Sequence, residues 1–478
     1  MRTPIVALTL ALFCGLAAPN SFAAGTKAVP AAKPSPNILL IVLDDENAYA
    51  GRTDIAPEPV TPNLDRLGKR GVTFANAQCP APVCNPSRCA IFSGLRPSTS
   101  GIYEDAQGRP VGNHILTHTT SLPDYFRARG YKTAGGGKVF AASFGSLFKH
   151  QLWEETMDAD SKGRLQDPRP LESNLPLSGL AGKHDWGAFP ANREQMADWQ
   201  LAGWAAEFLQ KPQAKPFFLA VGIVKPHTPW YVPKQYFDLF PPDKINIPPL
   251  AADENAGLPE AMQAKRKQIK QQEPLIARRK ELIAAYLATS RYADDCTGRV
   301  LAGLEKGPHR DNTIVVVFGD NGYQFGEKNH WSKGRLWEGS AHIPLVMAGP
   351  GIVQGQISKR PVSLIDLYPT LLEIAGLPAR PDLDGVSIAP LLKNPSAPWE
   401  RPALTTAGVK NHALRSERWR YIRYADGSEE LYDHDADPLE HTNVASKPEF
   451  AAVKEDLRKW FPKHDEPMNP PKGKGGDD

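Results

Sequence analysis

Three runs of consecutive apolar residues, each ending abruptly in polar ones, set the narrowest limits on how this chain can fold. Asn37-Ile-Leu-Leu-Ile-Val-Leu43 stops at Asp44-Asp45. Pro216-Phe-Phe-Leu-Ala-Val-Gly222 runs into Lys225-Pro226-His227, and Thr313-Ile-Val-Val-Val-Phe318 stops at Gly319-Asp320-Asn321-Gly322. A strand with no polar face has to be covered on both sides. Between the runs lie helical signals: Ser121 to Arg129, halted by Gly130, and a Lys/Arg-rich stretch from about Ala261 to Leu304 with Leu282, Tyr286 and Tyr292-Ala293 in period. Strands alternating with helices predict an α/β fold with a large, mostly parallel sheet flanked by helices. Ligands of such sheets sit beyond the carboxyl ends of the strands. Asp44, Asp45, His227, Asp320 and Asn321 all fall at those ends.

The remainder of the chain frames that unit. Arg2, the apolar stretch Pro4 to Leu16 and the small-x-small site Ser21-Phe22-Ala23 read as a signal peptide over 1–23. That apolar run is too short to span a bilayer, and no later stretch is long enough either. Cys14 does not read as a lipoprotein cysteine, because Phe13 precedes it. The expectation is a periplasmic or secreted protein without a membrane span. A polar linker covers 24–35 and the large α/β domain 36–395. From 396 to 468 a small C-terminal α+β subdomain is expected, with an antiparallel hairpin of Ala413–Tyr424 and Glu430–Tyr432 about Asp426-Gly427 and a closing helix from Phe450 to Phe461. The tail 469–478 reads as disordered. The 478 residues, 41% hydrophobic, suffice for one large domain and a companion. A net charge of +3 with mixed signs argues against a nucleic-acid partner, and 46 prolines indicate long ordered loops.

Adjacent carboxylates at a buried strand end repel unless a cation lies between them. Asp44 and Asp45, with Asp320 and Asn321 from another strand end, make an all-oxygen set suited to a hard cation, Ca²⁺ or Mg²⁺. The alternative for any one Asp there is a helix cap. Gly135-Gly-Gly-Lys138 is not a phosphate loop, since Val139 stands where Ser or Thr is needed. Cys79, Cys84 and Cys89 crowd into one short loop and Cys296 lies far off, which excludes a distributed disulfide framework, and the spacing does not suit zinc. Whether Cys79 and Cys89 pair is open. Trp153, Trp186, Trp230 and Trp331 are either sugar-stacking groups or core.

Cys84-Asn85-Pro86-Ser87-Arg88, followed by Ser93-Gly-Leu-Arg-Pro97, resembles the signature of the formylglycine-dependent (type I) sulfatases, whose fold is alkaline phosphatase-like. The resemblance spans nearly the whole mature chain through Asp44-Asp45, Gly137-Lys138, Lys225-Pro-His227, Asp320-Asn321, Lys333 and the C-terminal Arg-Tyr-Ile-Arg-Tyr and Glu-Leu-Tyr-Asp segments. Gly137-Lys-Val-Phe140 and Lys225-Pro-His-Thr-Pro229 are most similar to the iduronate-2-sulfatase-like branch.

The resemblance implies that Cys84 is oxidised to formylglycine by a formylglycine-generating or radical maturation enzyme. It also implies that residue 84 joins Asp44, Asp45, Asp320 and Asn321 around Ca²⁺, and that one hydroxyl of the aldehyde hydrate attacks sulfur while the other later expels sulfate. Arg88 is expected to hold the formylglycine and metal-bound oxygens. Lys138 and Lys333 are expected to neutralise the sulfate oxygens. His227, or alternatively Lys333, is expected to protonate the leaving alcohol. The substrate class implied is a sulfated carbohydrate such as a glycosaminoglycan. One position departs from the pattern: the branch reads Gly-Lys-Val-Phe-His, and this chain has Ala141, so that either another base serves, with His114, His118 and His150 as unplaced candidates, or turnover is impaired, or the specificity differs. Two rival readings are a phosphate or phosphonate monoester hydrolase of the same fold and a non-catalytic, calcium-stabilised glycan-binding protein.

Overall fold

The protein is described by a computed structural model covering Met1 and residues 35–51, 55–108, 119–141, 152–157, 167–180 and 184–468. The signal segment, the linker and the tail lie outside the described residues, apart from Met1 and Ser35, as do His114, His118 and His150. Ser35–Asp478 forms one compact unit.

Its centre is an eight-stranded sheet. In chain order the strands are β1 (Asn37–Asp44), β2 (Gly71–Phe74), β3 (Lys132–Gly137), β4 (Glu155–Met157), β5 (Phe217–Pro226), β6 (Thr313–Gly319), β7 (Leu345–Ala348) and β8 (Gln356–Ser358). Across the sheet they run β8-β2-β7-β6-β1-β5-β3-β4. Among these strands only β7 runs against its neighbours.

The three apolar runs are the three central strands, and their side chains divide by parity. Leu39, Ile41 and Leu43 of β1 join Leu219, Val221, Val315 and Val317 in one core, while Ile38, Leu40 and Val42 join Phe218, Ala220, Ile314, Val316 and Phe318 in the other. Burying each such side chain contributes roughly 1.5–3 kcal/mol, so both faces demand a cover of helices.

The helices of seven or more residues among the described residues are α1 (Pro62–Gly68), α2 (Cys84–Ser93), α3 (Leu122–Ala128), α4 (Ala197–Gln210), α5 (Arg266–Ala277), α6 (Arg279–Lys306) and α7 (Leu367–Ile374), with α8 (Ala451–Arg458) closing the chain. α4 and α6 supply the first core and α2, α3 and α7 the second. Among the described residues no helix is long and apolar enough to cross a membrane.

Two sequence expectations need correction. The basic stretch 261–304 is not one periodic segment: it breaks at Arg278 into α5, none of whose residues is buried, and the 28-residue α6, which packs throughout its length. The expected strand 413–424 also breaks, because Ser416 turns back on Trp419 through backbone and side-chain hydrogen bonds. The result is a four-stranded antiparallel sheet: β9 (Ala403–Thr406), β10 (His412–Arg415), β11 (Trp419–Arg423) and β12 (Glu429–Asp433).

One face of this sheet packs Leu404, Leu414, Tyr421 and Leu431 with Leu457 and Phe461 in and beyond α8. The other grips the segment 328–338. Arg420, fully buried, donates to Leu336 O (3.0 Å) and Gln78 Oε1 (3.0 Å) and pairs with Glu338 and Glu440. Trp337 Nε1 donates to Glu430 Oε2 (2.8 Å), and Lys328 Nζ donates to Glu440 O.

Asp294 of α6 holds the start of α1, where Thr61 offers no side-chain cap. It accepts from Asn63 N (2.9 Å), Leu64 N (2.9 Å) and Asn63 Nδ2 (2.8 Å). Burial pushes its carboxyl up to about 7, against the pull of those donors. The folded state therefore keeps a proton that the unfolded chain, titrating near 4, has released, so this group's contribution to stability falls as pH rises from about 4 to 7. The expected slope from this residue is on the order of 1.4 kcal/mol per pH unit. Melting temperatures between pH 5 and 8 should fall less steeply in Asp294→Asn than in the wild type.

Candidate active site

The carboxyl ends of β1, β5 and β6 deliver five polar groups to one point. Asp44 is the last residue of β1. Asp45 follows in the left-handed region (φ 65°), a conformation that Asp tolerates better than most residues. That turn lets Asp45 N donate to Asp320 Oδ1 (3.0 Å), and Asn321 N donates to the same oxygen (2.9 Å). Asn321 Nδ2 donates to Asp45 Oδ1 (2.8 Å). Carboxylate oxygens of Asp44, Asp45 and Asp320 lie within 4.8 Å of one another, with all three residues buried.

Asn321 Oδ1 is buried without a hydrogen-bond partner among the described residues. An orphaned acceptor beside three clustered carboxylates is the donor set of a hard cation, and these residues fit one. The reading of Asp44, Asp45 and Asp320 as helix caps fails, since none of them precedes a helix that it caps.

Cys84 opens α2, with extended Val83 as the N-cap. Pro86 is the third helical residue, where a missing N–H costs nothing. Gly94 ends the helix at φ 75°, and an added Cβ there would lie 2.4 Å from Leu383. Every residue of α2 is buried.

The thiol faces the carboxylates: Sγ lies 3.3 Å from Asp44 Oδ1, 2.7 Å from Lys333 Nζ and 3.7 Å from Lys138 Nζ. Burial and the Asp44 charge raise its pKa well above the usual thiol range, against Lys138 and Lys333. An unmodified Cys84 is therefore held as the neutral thiol, the poorly nucleophilic form. Cys79, Cys84, Cys89 and Cys296 are all buried and free, so Cys79 and Cys89 do not pair.

Arg88, one turn along α2, is completely buried. Its Nε donates to Asp320 Oδ2 (2.7 Å), one Nη to Asp44 Oδ1 (3.2 Å) and the other to Val139 O (3.1 Å) and Lys138 O. Burial would push Asp44 up, but Lys138, His227, Arg88 and Lys333 outweigh it and hold the carboxyl well below the usual range. For Asp320, burial outweighs Arg88 and pushes the carboxyl up to about 6, with Asp44 and Asp45 adding to the rise.

Lys138 pairs with Asp44, and Lys333 with Asp45. Burial lowers the pKa of both ammonium groups, but the facing carboxylates and Cys84 raise both above their ordinary value. Both stay charged. Lys138 is aimed by a crossing too close for side chains: a Cβ on Gly137 would lie 2.2 Å from Gly222 O, and one on Gly135 would lie 2.5 Å from Trp153. The glycine run serves sheet packing.

His227 follows β5. Its Nδ1 contacts Thr228 O (2.7 Å), which fixes the Nδ1–H tautomer and leaves Nε2 facing Asp45 Oδ2 at 3.8 Å. One ring nitrogen lies within 4.8 Å of both Cys84 Sγ and an Asp44 oxygen. Burial lowers the His227 pKa: Asp45 opposes this, and Lys138 adds to it.

All nine residues singled out in the sequence thus meet at one place. Sequence reasoning missed their supports. Asp198, in the first turn of α4, accepts from Val224 N and Lys225 N (2.9 Å each) and so fixes the path into His227, and its acidic first-turn position was the available signal. Tyr286 OH donates to Asp45 O (2.8 Å) and accepts from Asn47 N (2.9 Å). That bridge joins residues far apart in the chain and leaves no local trace. Ala141 is buried in the core. Trp153, Trp186, Trp230 and Trp331 are buried as well, so they serve as core and not as an exposed stacking surface.

Fold and site together define a hydrolase of the alkaline phosphatase-like α/β class. The Sulfatase family profile matches residues 36–377, and the profile for the C-terminal part of N-sulphoglucosamine sulphohydrolase matches 326–466. A sulfatase from Formosa agariphila is 37% identical over 452 residues, covering 90% of this chain and 86% of that protein. The phosphonate monoester hydrolase of Agrobacterium radiobacter has the same fold, with a TM-score of 0.68 at 21% identity over 89% of this chain and 94% of that one. So does a protein solved with its substrate D-glucosamine-2-N,6-O-disulfate, with a TM-score of 0.67 at 22% identity over 89% and 96% of the two chains. The chain belongs to the sulfatase family and is an enzyme of the sulfatase type.

Proposed function

We propose that the protein hydrolyses sulfate esters on a sulfated carbohydrate, with Cys84 matured to formylglycine by a dedicated enzyme and its oxidant. The observation that carries this is the position of Cys84 Sγ at the edge of the carboxylate cluster, between the Nζ atoms of Lys333 and Lys138. The aldehyde hydrate of formylglycine puts two hydroxyls on one carbon, so one can displace the alcohol from sulfur and the other can release sulfate by reforming the aldehyde.

Asp44, Asp45, Asp320 and Asn321, with residue 84, would hold Ca²⁺, or Mg²⁺ in its place. Such a cation polarises oxygens and lowers the pKa of a bound hydroxyl. Lys138 and Lys333 flank residue 84 as fixed positive charges where sulfate oxygens must lie. Arg88 keeps Asp44 and Asp320 in register.

For proton transfer the geometry favours a division of labour different from the sequence expectation. Lys333, charged and 2.7 Å from Sγ, is placed to protonate the leaving alcohol. His227, neutral with Nε2 free, is placed to accept the proton of the second hydroxyl, the role left open by Ala141. The Gly137-Lys-Val-Phe140 and Lys225-Pro-His-Thr-Pro229 segments support placement in the iduronate-2-sulfatase-like branch.

The test is sulfate release from sulfated saccharides and an aryl sulfate, with formylglycine at position 84 verified by peptide mass. Release from at least one ester, exceeding phosphate release from the matched phosphate ester, is expected. Faster phosphate release would assign the site to phosphate monoesters. Saturable saccharide binding without release would make it a binding protein.

A chelator is expected to abolish activity and lower the melting temperature, with Ca²⁺ restoring both. A cation at 100 times its Kd stabilises the fold by about 2.7 kcal/mol. Full activity and an unchanged melting point after metal removal would exclude the cation.

A further inference from the structure

Close to Lys333 in the chain stands a positive charge that no acidic group among the described residues neutralises. Arg335 lies two residues after Lys333 and is only partly exposed, yet among the described residues no carboxylate pairs with it. Its one hydrogen bond among them runs from Nε to His330 Nδ1 at 3.4 Å. His330 Nε2 in turn contacts Lys333 O at 3.0 Å. Burial first, then the Arg335 charge, lowers the His330 pKa to about 4, so this ring is a neutral relay that donates to Lys333 O and accepts from Arg335.

The segment is tied to the nucleophile from the other side as well. Gly334 N donates to Pro82 O (2.9 Å), two residues before Cys84, and Gly334 takes φ 93°, which glycine alone adopts freely. Arg335 is therefore positioned by the same short stretch that places Lys333 on Cys84.

Arg335 and His330 form one wall of a pocket of about 230 Å³. Lys265 and Gln268, Gln271 and Gln272 of α5 also line it, and Gln272 Oε1 is buried and accepts no hydrogen bond among the described residues. Beyond Lys265 the exposed residues Arg266, Lys267 and Lys270 line a second, shallower depression of about 450 Å³, and none of the three is in an ion pair among the described residues. A half-buried guanidinium costs solvation that only an anion returns in full, and its fork matches the oxygens of sulfate or carboxylate. An orphaned amide carbonyl in the same lining suits a sugar hydroxyl.

We infer that this pocket is a subsite for a second oxyanion substituent of the saccharide whose scissile sulfate lies at residue 84, so that the enzyme acts on saccharides carrying at least two anionic groups. The inference rests on the proposed sulfatase reading for its substrate class. Arg335 binds the second sulfate or carboxylate, Gln272 accepts from a neighbouring hydroxyl, and the basic face of α5 receives the continuing polyanion.

The test compares kcat/KM on a monosulfated disaccharide, a disulfated one and a monosulfated one bearing a uronate carboxylate, in the formylglycine-verified wild type, Arg335→Gln and Lys265→Gln. The wild type should prefer at least one doubly anionic substrate. Arg335→Gln should reduce that preference by about 10-fold or more, chiefly through KM, and Lys265→Gln, at an exposed position that cannot disturb folding, by a smaller factor. Which substrate carries the preference separates sulfate from carboxylate. Equal kcat/KM on singly and doubly charged substrates in the wild type, or an undiminished preference in Arg335→Gln, overturns the subsite.

Calorimetric titration of the Cys84→Ala protein with the disulfated disaccharide decides independently of turnover. Affinity should fall about 10-fold with Arg335→Gln, and an unchanged affinity overturns the subsite. Should the wild type release no sulfate from any ester, the sulfatase reading fails while the titration still judges Arg335.

Discussion

Cys84→Ser is expected to abolish sulfate ester hydrolysis, lowering kcat by at least about 1,000-fold. Serine preserves the size and hydrogen-bonding position of the side chain at the start of α2, so the fold and the pairs made by Lys138 and Lys333 should survive. What it cannot provide is a second hydroxyl on the same carbon. A serine that attacked sulfur once would end as its own sulfate ester, buried with Asp44 and Asp45 beside it and no internal route to release. The measurement is sulfate release followed over many turnovers, together with the mass of the peptide containing residue 84. Loss of turnover, with or without a trapped sulfate on that peptide, fits the proposed chemistry. Multiple turnover at the wild-type rate would remove formylglycine from the account.

Arg88→Leu is expected to be the most destabilising single change in the site. The guanidinium has no exposed surface and ties α2 to Asp44, Asp320 and the carbonyl of Val139, which come from separate stretches of chain. Leucine fills most of the volume but leaves Asp320 without its paired cation and Asp44 with Lys138 alone. Breaking a buried pair in this way costs about 3–5 kcal/mol, far more than the pair itself contributes relative to an apolar replacement. Urea unfolding should show the midpoint displaced accordingly, and the fraction that remains folded should be inactive. Arg88→Lys should restore little, since a point charge on a flexible stem cannot satisfy both carboxylates and the carbonyl groups at once. Unaltered stability in the Arg88→Leu protein would mean that the carboxylates are neutralised by something other than Arg88.

What could be read from the sequence followed from the physics of the central strands. A strand buried on both faces has to be apolar throughout, so β1, β5 and β6 announced themselves, and the polar residues that ended them could only lie on one edge. Asp44, Asp45, His227, Asp320 and Asn321 were legible for that reason, and Cys84, Arg88, Lys138 and Lys333 through a family pattern. The groups that aim them were not. Tyr286 reads as an ordinary apolar position of a long helix, although its hydroxyl stitches Asp45 to Asn47. Asp198 reads as an acidic residue in a first helical turn. Arg335 reads as a surface arginine, because nothing in a sequence reveals that no carboxylate among the described residues pairs with it. The four tryptophans were ambiguous by composition and were settled only by burial.

The excursion from the end of β6 to the start of β7 has a further consequence. Gly319 N donates to Pro344 O (3.1 Å), and Leu345 pairs in register with Phe318, so the chain leaves and re-enters the sheet at the same point. Everything between is a closed loop carrying Asp320, Asn321, Lys333 and Arg335, and its far side is held by Arg420, Glu430 and Glu440 of the C-terminal region. In engineering terms it behaves as a cartridge with two seats. Exchanging it alone between relatives would preserve the sheet but unseat Trp337 and Glu338 from their partners, whereas transferring it together with residues 403–440 would carry the lysine with both of its seats. Chimeras of this family should therefore divide into those that swap both parts and turn over, and those that swap one part and fold without positioning the lysine.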